Sequence, residues 1–379
     1  MIVKDEIHGT ISFDELEAKV IDSAPFQRLR RIRQMSVTNL VYPGANHTRF
    51  EHALGTAHLS SVIARRLGLD EDTARKVKLY GLLHDVGHTC FSHEGEDVLR
   101  AHVGDHEELG KRIITKSGIA DIIGESYRPS EIAAMGSSPH GGIITSDLGA
   151  DRMDYLKRDA LNTGVAYGVV DIDRIVHTLA MEGSELCIQK GGFEAAEYML
   201  VARFMMFSAV YLHRTVRIAT AMLYRAMEGA IEDKSADPRR LAAMDDEGAM
   251  AVLLGSPKGG KYAKALLERR LYKEVCGLPR EQMSEAAAKR LEAKLSKAAR
   301  CDIIVDYPHR FFKPVGFRVM TENGLVPIMR LSKLVQSLRK AEEDRMRVLV
   351  LAEEGAKEER GEEIGRLALS ALQRKPRAR

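Results

Sequence analysis

The stretch Gly81-Leu82-Leu83-His84-Asp85-Val86-Gly87-His88 constrains this chain more than any other. A helix capped by Asp70 carries Ala74, Val77 and Leu83 as apolar positions. It then ends, near Gly87, on an adjacent imidazole and carboxylate rather than on residues suited to water. Neighbouring helical residues point about a third of a turn apart, so His84 and Asp85 reach one ion only if other elements close a polar site around them. The dipeptide alone carries little weight, and distant partners decide its meaning.

With 379 residues, 45% of them hydrophobic, the chain is long enough for one large domain or two ordinary ones around a substantial core. Only 11 prolines, set among abundant Ala, Leu, Arg and Glu, predict a mainly α architecture. The 57 basic and 54 acidic residues nearly cancel, which excludes the one-sided field of a dedicated nucleic-acid binder. Four cysteines without a CxxC pair, no signal peptide and no apolar run near 18 residues lead to the expectation of a cytoplasmic protein without a membrane span. The expected organisation is a helical catalytic core over 1–232, a helical extension over 233–300, a small mixed α/β part over 301–352 and a charged, solvated helix and tail over 353–379. The mixed part is read from β-like segments at 301–305, 317–320 and 348–351 and from the hairpin signal Asn323-Gly324.

Eight of the thirteen histidines fall between His47 and His106. Thr48-Arg49-Phe50-Glu51 has capping-box spacing, so Arg49 and His52 share one face of the helix it starts. Asp105 and Glu108 signal another helix start, which puts His106 in a first turn, where the positive helix end lowers an imidazole pKa. Asp147, Asp151, Tyr155 and Asp159 recur at i,i+4 and form one polar stripe before Gly164. His52, His84, Asp85 and Asp151 together offer two imidazoles and two carboxylates. That set suits one divalent transition metal, Mn, Fe, Zn or Co, and Mg less comfortably. Such an ion acidifies water and neutralises phosphate charge, the basis of metal-assisted phosphoester hydrolysis, and Arg49 and Arg152 adjoin the set as phosphate contacts. Elsewhere the basic run 25–34 reads as a helix with a solvated face, and the Met- and Phe-rich run 198–207 as core or subunit interface.

Five motifs, taken in order, resemble those of HD-domain phosphohydrolases, and within that superfamily the deoxynucleoside triphosphate triphosphohydrolases related to the SAM-and-HD-domain enzyme. They are Phe26-Gln27-Arg28-Leu29-Arg30, Pro43-Gly44-Ala45 with His47 to His52, the His84-Asp85 stretch, Phe91-Ser92-His93, and Asp151-Arg152-Met153-Asp154-Tyr155. The resemblance covers roughly 1–350 and implies an HD-domain helical core without a SAM domain. It implies metal ligation by His52, His84, Asp85 and Asp151. His88, His93 and His106 would line the phosphates, with His93 or His106 donating a proton to the leaving group and Glu107 supporting His106. Arg49 and Arg152 would contact phosphate, Gln34 the sugar, Tyr155 and Asp159 the 3′-hydroxyl, and His213 the substrate. Ala209 and Arg217 depart from the family pattern.

The expected activity is metal-dependent attack at the α-phosphorus of a dNTP, giving deoxynucleoside and triphosphate, in a homo-oligomer, dimer or tetramer, with Mg on the substrate phosphates. The alternatives are hydrolysis of a nucleoside monophosphate or other phosphoester at the same metal, and a nucleotide- or nucleic-acid-binding module with a vestigial site. Cyclic-dinucleotide cleavage at a two-metal site lacks the extra downstream histidines it needs.

Overall fold

The computed structural model describes residues 1–308 and 316–373, which are mainly helical with three small sheets. Helix α1 (Arg49–Arg66) starts where the Glu51 carboxylate accepts from the Thr48 backbone N–H and hydroxyl. Asp70 starts α2 (Glu71–Leu83) by accepting from the Thr73 N–H at 2.9 Å. Next come α3 (Ser92–Val103) and α4 (His106–Lys116), with Asp105 capping α4 through the Glu108 N–H at 2.9 Å. Helix α5 (Ala150–Thr163) ends on Gly164 at φ +73°, a left-handed stop that glycine takes without a Cβ penalty. These helices begin and end close to where the capping residues predict.

The cores follow from the helical faces. Leu59 and Ile63 of α1 meet Met153 and Leu156 of α5 and Met199 and Met206 of α6 (Phe193–Met206), all buried. Leu99 of α3 packs with Met222 and Leu223 of α7 (Arg214–Glu232). The Met- and Phe-rich run is therefore largely core, although Tyr198 stays exposed. Between α6 and α7 the chain makes a π-helical turn, Phe207–Tyr211. Among the described residues no single helix is long and apolar enough to cross a membrane.

Strands form where the segments 301–305, 317–320 and 348–351 and the Asn323-Gly324 turn predict them, but their pairing crosses the expected boundaries. They are β1 (Ile2–Asp5), β2 (Gly9–Ser12), β3 (Leu179–Glu182), β4 (Glu185–Gln189), β5 (Lys273–Pro279), β6 (Ile303–Asp306), β7 (Arg318–Thr321), β8 (Gly324–Pro327) and β9 (Arg347–Ala352). β1 and β2 form an antiparallel hairpin. β3 and β4 interrupt a region read as helical throughout, and β4 pairs parallel with β7, aligning Cys187 with Arg318. β9 lies between β5 and β6. Both larger sheets thus join segments on opposite sides of the expected boundaries. β3 and β4, of four and five residues, hold too few positions to show a period, and the parallel partner of β4 lies far along the chain.

Two further corrections concern charge. The stretch 25–34 folds as a short helix, Ala24–Gln27, and a 3₁₀ turn, Arg28–Arg31, not as one basic helix. Arg28 donates to the carbonyls of His88 at 2.5 Å and Met244 at 3.0 Å, Arg31 pairs with Asp245 at 2.5 Å, and Arg30 lies 3.5 Å over the Phe50 ring. At the other end, α9 (Glu354–Gln373) is not merely solvated, because Ile364 and Ala368 are fully buried. They pack with Leu291 and Leu295 of α8 (Glu285–Ala299) and with Val348 and Val350 of β9. The expected tail, 375–379, lies outside the described residues.

Replacing Ile364 by Ala is expected to destabilise the protein by about 2–5 kcal/mol, through lost transfer energy and the cavity left behind. Urea denaturation measures this, and a solvated helix would lose under about 0.5 kcal/mol.

Candidate metal centre and phosphate pocket

The end of α2, the first two turns of α1 and the start of α5 bring the four expected ligands together. His52 Nε2 lies 3.1 Å from Asp151 Oδ1 and 3.6 Å from Asp85 Oδ2. His84 Nε2 lies 3.4 Å from Asp85 Oδ1 and 3.9 Å from Asp151 Oδ1. Both Nε2 atoms are buried without a hydrogen-bond partner. Their tautomers follow from what the other ring nitrogen meets. His84 Nδ1 is 2.8 Å from the Gly81 carbonyl, which can only accept, so Nδ1 carries the proton and Nε2 offers a lone pair. His52 Nδ1 likewise donates to Asp154 Oδ2 at 2.8 Å. His52, His84 and Asp85 bring ligand atoms close enough to share one ion, and Asp151 Oδ1 adjoins both imidazoles, so these residues fit the implied metal. The field agrees: burial opposes charge on His52, yet Asp151 and Asp154 outweigh it and push its pKa up to about 10.

Beneath this set Asp154 is fully buried. Besides His52 it accepts from His8 at 2.7 Å and from both forks of Arg158 at 2.9 Å. Burial alone would raise its pKa, but Arg158, His52 and His8 hold it well below the usual range. Gly55 makes this possible, because a Cβ there would overlap the Asp154 carboxylate. The i,i+4 stripe omits Asp154, but the fifth motif contains it.

Three histidines flank the centre. His88 stacks on His106 with ring centroids 4.1 Å apart, and His93 meets both rings edge-on. Gly87 lets α4 come this close, since a Cβ would overlap the His106 carbonyl. His106 Nδ1 donates to Glu96 Oε2 at 2.6 Å, and His93 Nδ1 lies 3.7 Å from the same oxygen. The partner of His106 is therefore Glu96, whereas Glu107 is exposed. The spacing of His93 and Glu96, i,i+3 on α3, was the signal for it. The expectation of a depressed His106 pKa is also corrected: burial lowers it, but the Glu96 and Asp85 carboxylates outweigh burial and raise it. Burial, Arg49 and the His106 charge hold His88 well below 6.5. The surroundings therefore favour a proton on His106 over one on His88.

Arg49 is buried, pairs with Asp85 and donates through Nε to the Ser92 hydroxyl at 2.9 Å. Ser92 in turn donates to the Arg33 carbonyl at 2.6 Å. Phe91 and Ser92 both take left-handed backbone, φ +60° and +56°, which costs non-glycine residues energy. Asp246 clamps this turn, accepting from the Phe91 N–H at 2.7 Å and the Arg33 N–H at 3.0 Å. Burial pushes its pKa up to about 6.

Beyond the centre, the α5 stripe leads to Tyr155 and then Asp159, which accepts from Tyr211 at 2.6 Å and pairs with His47 at 2.7 Å. Gln34 Oε1 is buried without a partner. Arg152 pairs with Asp147, which also accepts from the Gly316 N–H at 2.5 Å. His213 caps α7, accepting from the Thr215 N–H at 3.2 Å, and Arg217 pairs with Asp306 of β6 at 2.6 Å. The sequence reading did not single out Glu96, Asp154, Tyr211, Asp246, or His47 and His8 as partners of these carboxylates. Replacing Glu96 by Gln is expected to lower the His106 pKa in the metal-free protein and leave His88 neutral. Nitrogen shifts of labelled imidazoles report both, and an unmoved His106 titration would remove Glu96 as its controlling partner.

Residues 49–159 match the HD domain and residues 170–375 the HD associated region. A protein of Methanocaldococcus jannaschii is 37% identical over 360 residues, covering 90% of this chain and 76% of that one. The Dictyostelium discoideum deoxynucleoside triphosphate triphosphohydrolase SAMHD1 homolog is 27% identical, covering 72% of this chain and 60% of its own length. The SAMHD1 triphosphohydrolase of Gallus gallus is 36% identical over 142 residues, which is 33% of this chain and 23% of that protein. A crystal structure of a hypothetical protein from Aquifex aeolicus superposes with a TM-score of 0.78 at 28% identity, covering 96% of this chain and 99% of that one. With an HD domain and an HD associated region that together take in most of its length, the chain belongs to the HD-domain phosphohydrolase superfamily and resembles its SAMHD1-type members.

Proposed function

We propose that this HD-domain hydrolase converts deoxynucleoside triphosphates to deoxynucleoside and triphosphate. The observation that carries the reading is the single polar face of α5. Asp151 stands in the candidate metal set, and Tyr155 and Asp159 follow one and two turns along. Eight residues of helix rise about 12 Å, enough to lead from a phosphate to its nucleoside. The names of the triphosphohydrolase relatives support the same substrate class.

His52, His84, Asp85 and Asp151 would hold the divalent ion, which when bound acidifies water and neutralises phosphate charge. Arg49, fixed by Asp85 and Ser92, presents its guanidinium to phosphate oxygens. Water adds at the α-phosphorus and the bond from phosphorus to the 5′-oxygen breaks, so triphosphate keeps the incoming oxygen. The departing 5′-oxygen needs a proton. His106, whose proton the Glu96 carboxylate stabilises, supplies it in preference to His93, whose side chain is 63% exposed. His88 stays neutral beside it, so two adjacent imidazoles take different protonation states. At the far end Asp159 keeps lone pairs for a sugar hydroxyl after accepting from Tyr211 and His47.

The test is a panel of dNTPs incubated with protein reconstituted with Mn, Fe, Zn or Co, with products separated by chromatography. Deoxynucleoside and tripolyphosphate are expected, with label from ¹⁸O-water in the tripolyphosphate. Orthophosphate as the sole anionic product refutes the assignment. Asp151→Ala should lose metal and turnover together. His106→Gln should keep its metal and lower kcat by about 10²- to 10⁴-fold, whereas a variant as active as wild type would move the proton donor elsewhere.

A further inference from the structure

We propose that His8, in the turn of the N-terminal hairpin, is a positioning residue of the metal centre, acting through Asp154 on His52. The inference rests on the reading of His52 as a metal ligand. His8 lies outside every motif that carries the family resemblance and touches none of the four candidate ligands. Its ring nevertheless reaches the carboxylate that orients one of them. His8 Nε2 is 2.7 Å from Asp154 Oδ1, and the other oxygen, Oδ2, accepts from His52 Nδ1 at 2.8 Å. Each carboxylate oxygen here serves as the acceptor, so the ring nitrogens facing Asp154 are the donors.

The hairpin is built to deliver this contact. The Asp5 Oδ1 accepts from the N–H groups of Ile7 at 2.9 Å and His8 at 2.8 Å, which fixes the turn, and Gly9 takes φ +74° to leave it. The other Asp5 oxygen meets Arg158 Nη1 at 3.0 Å, and Arg158 forks onto Asp154. Two routes therefore run from one turn to Asp154, one through the His8 ring and one through Asp5 and Arg158. The His8 side chain is 8% exposed and its ring packs 5.2 Å from that of His58 on α1. A residue that only covered the core would need neither the polar contact nor the aim.

With Oδ1 engaged by His8 and Arg158, Asp154 cannot rotate away from His52, and the His52 Nε2 lone pair keeps its aim at the metal position. Losing such outer partners typically weakens metal binding by about 10- to 100-fold. The test measures metal affinity, not turnover, by titrating metal-free protein with Co²⁺ or Zn²⁺ against a competing chelator. His8→Phe, which keeps ring volume and the packing on His58 but has no donor, should weaken binding by about 10- to 100-fold. His8→Gln, which restores an N–H donor, should recover part of the loss, and melting of the metal-free proteins separates binding from folding. If His8→Phe binds as tightly as wild type, or only His8→Ala is impaired, the residue merely packs and the inference fails. A wild-type chain that binds neither metal overturns this inference together with the metal reading beneath it.

Discussion

The structure depends on one buried carboxylate. Asp154 lies in the interior with no solvent to stabilise its charge, and an unpaired ion there would cost several kcal/mol. Four donor atoms from three residues, His8, His52 and the two forks of Arg158, make it tolerable. Each donor imposes a condition on the fold. Arg158 is itself fully buried and requires Asp5, so the N-terminal hairpin must dock; His52 requires α1 to lie close to α5, so Gly55 must carry no side chain. The candidate ligands inherit their positions from this node.

A second constraint shapes the pocket beside it. His88 and His106 stack at 4.1 Å, a distance at which two cations repel, and their surroundings part them: the Glu96 carboxylate favours charge on His106, while burial and Arg49 oppose it on His88. The turn that brings His93 and Ser92 here carries two left-handed residues, and Asp246, from the region after α7, holds it. The basic run 28–33 serves the same end, since Arg28 binds the His88 carbonyl and the Arg33 backbone binds Asp246. Its charges anchor loops around the site instead of lining one face.

Much of this was legible from local chemistry. The starts of α1, α2 and α4 follow from Glu51, Asp70 and Asp105, because capping is a matter of a few neighbouring residues. The grouping of His52, His84, Asp85 and Asp151 was legible from residue type and motif together, and the structure brings the four side chains side by side. The strands at 301–305 and 348–351 were legible, but the β3–β4 hairpin, the pairing of β9 with β5 and the burial of Ile364 were not, because strand partners lie far along the chain and α9 mixes one apolar stripe with many charges. Glu107 and Glu96 show the same limit at one residue. Both are acids near His106, and only the packing of α3 against α4 settles which one faces it.

The sequence by itself determined a mainly helical chain and the caps that phase its helices, since each follows from interactions within a few residues, and it supplied the metal-binding residue types whose convergence depends on distant elements. Tertiary structure alone decided which donors face one another. It paired His106 with Glu96, turned Arg217 toward Asp306, set Tyr211 and His47 on Asp159, and brought His8 to Asp154 across 146 positions of chain. The reason is physical: a buried charge must find its partner in space, and spacing along the chain does not say where two distant elements will meet.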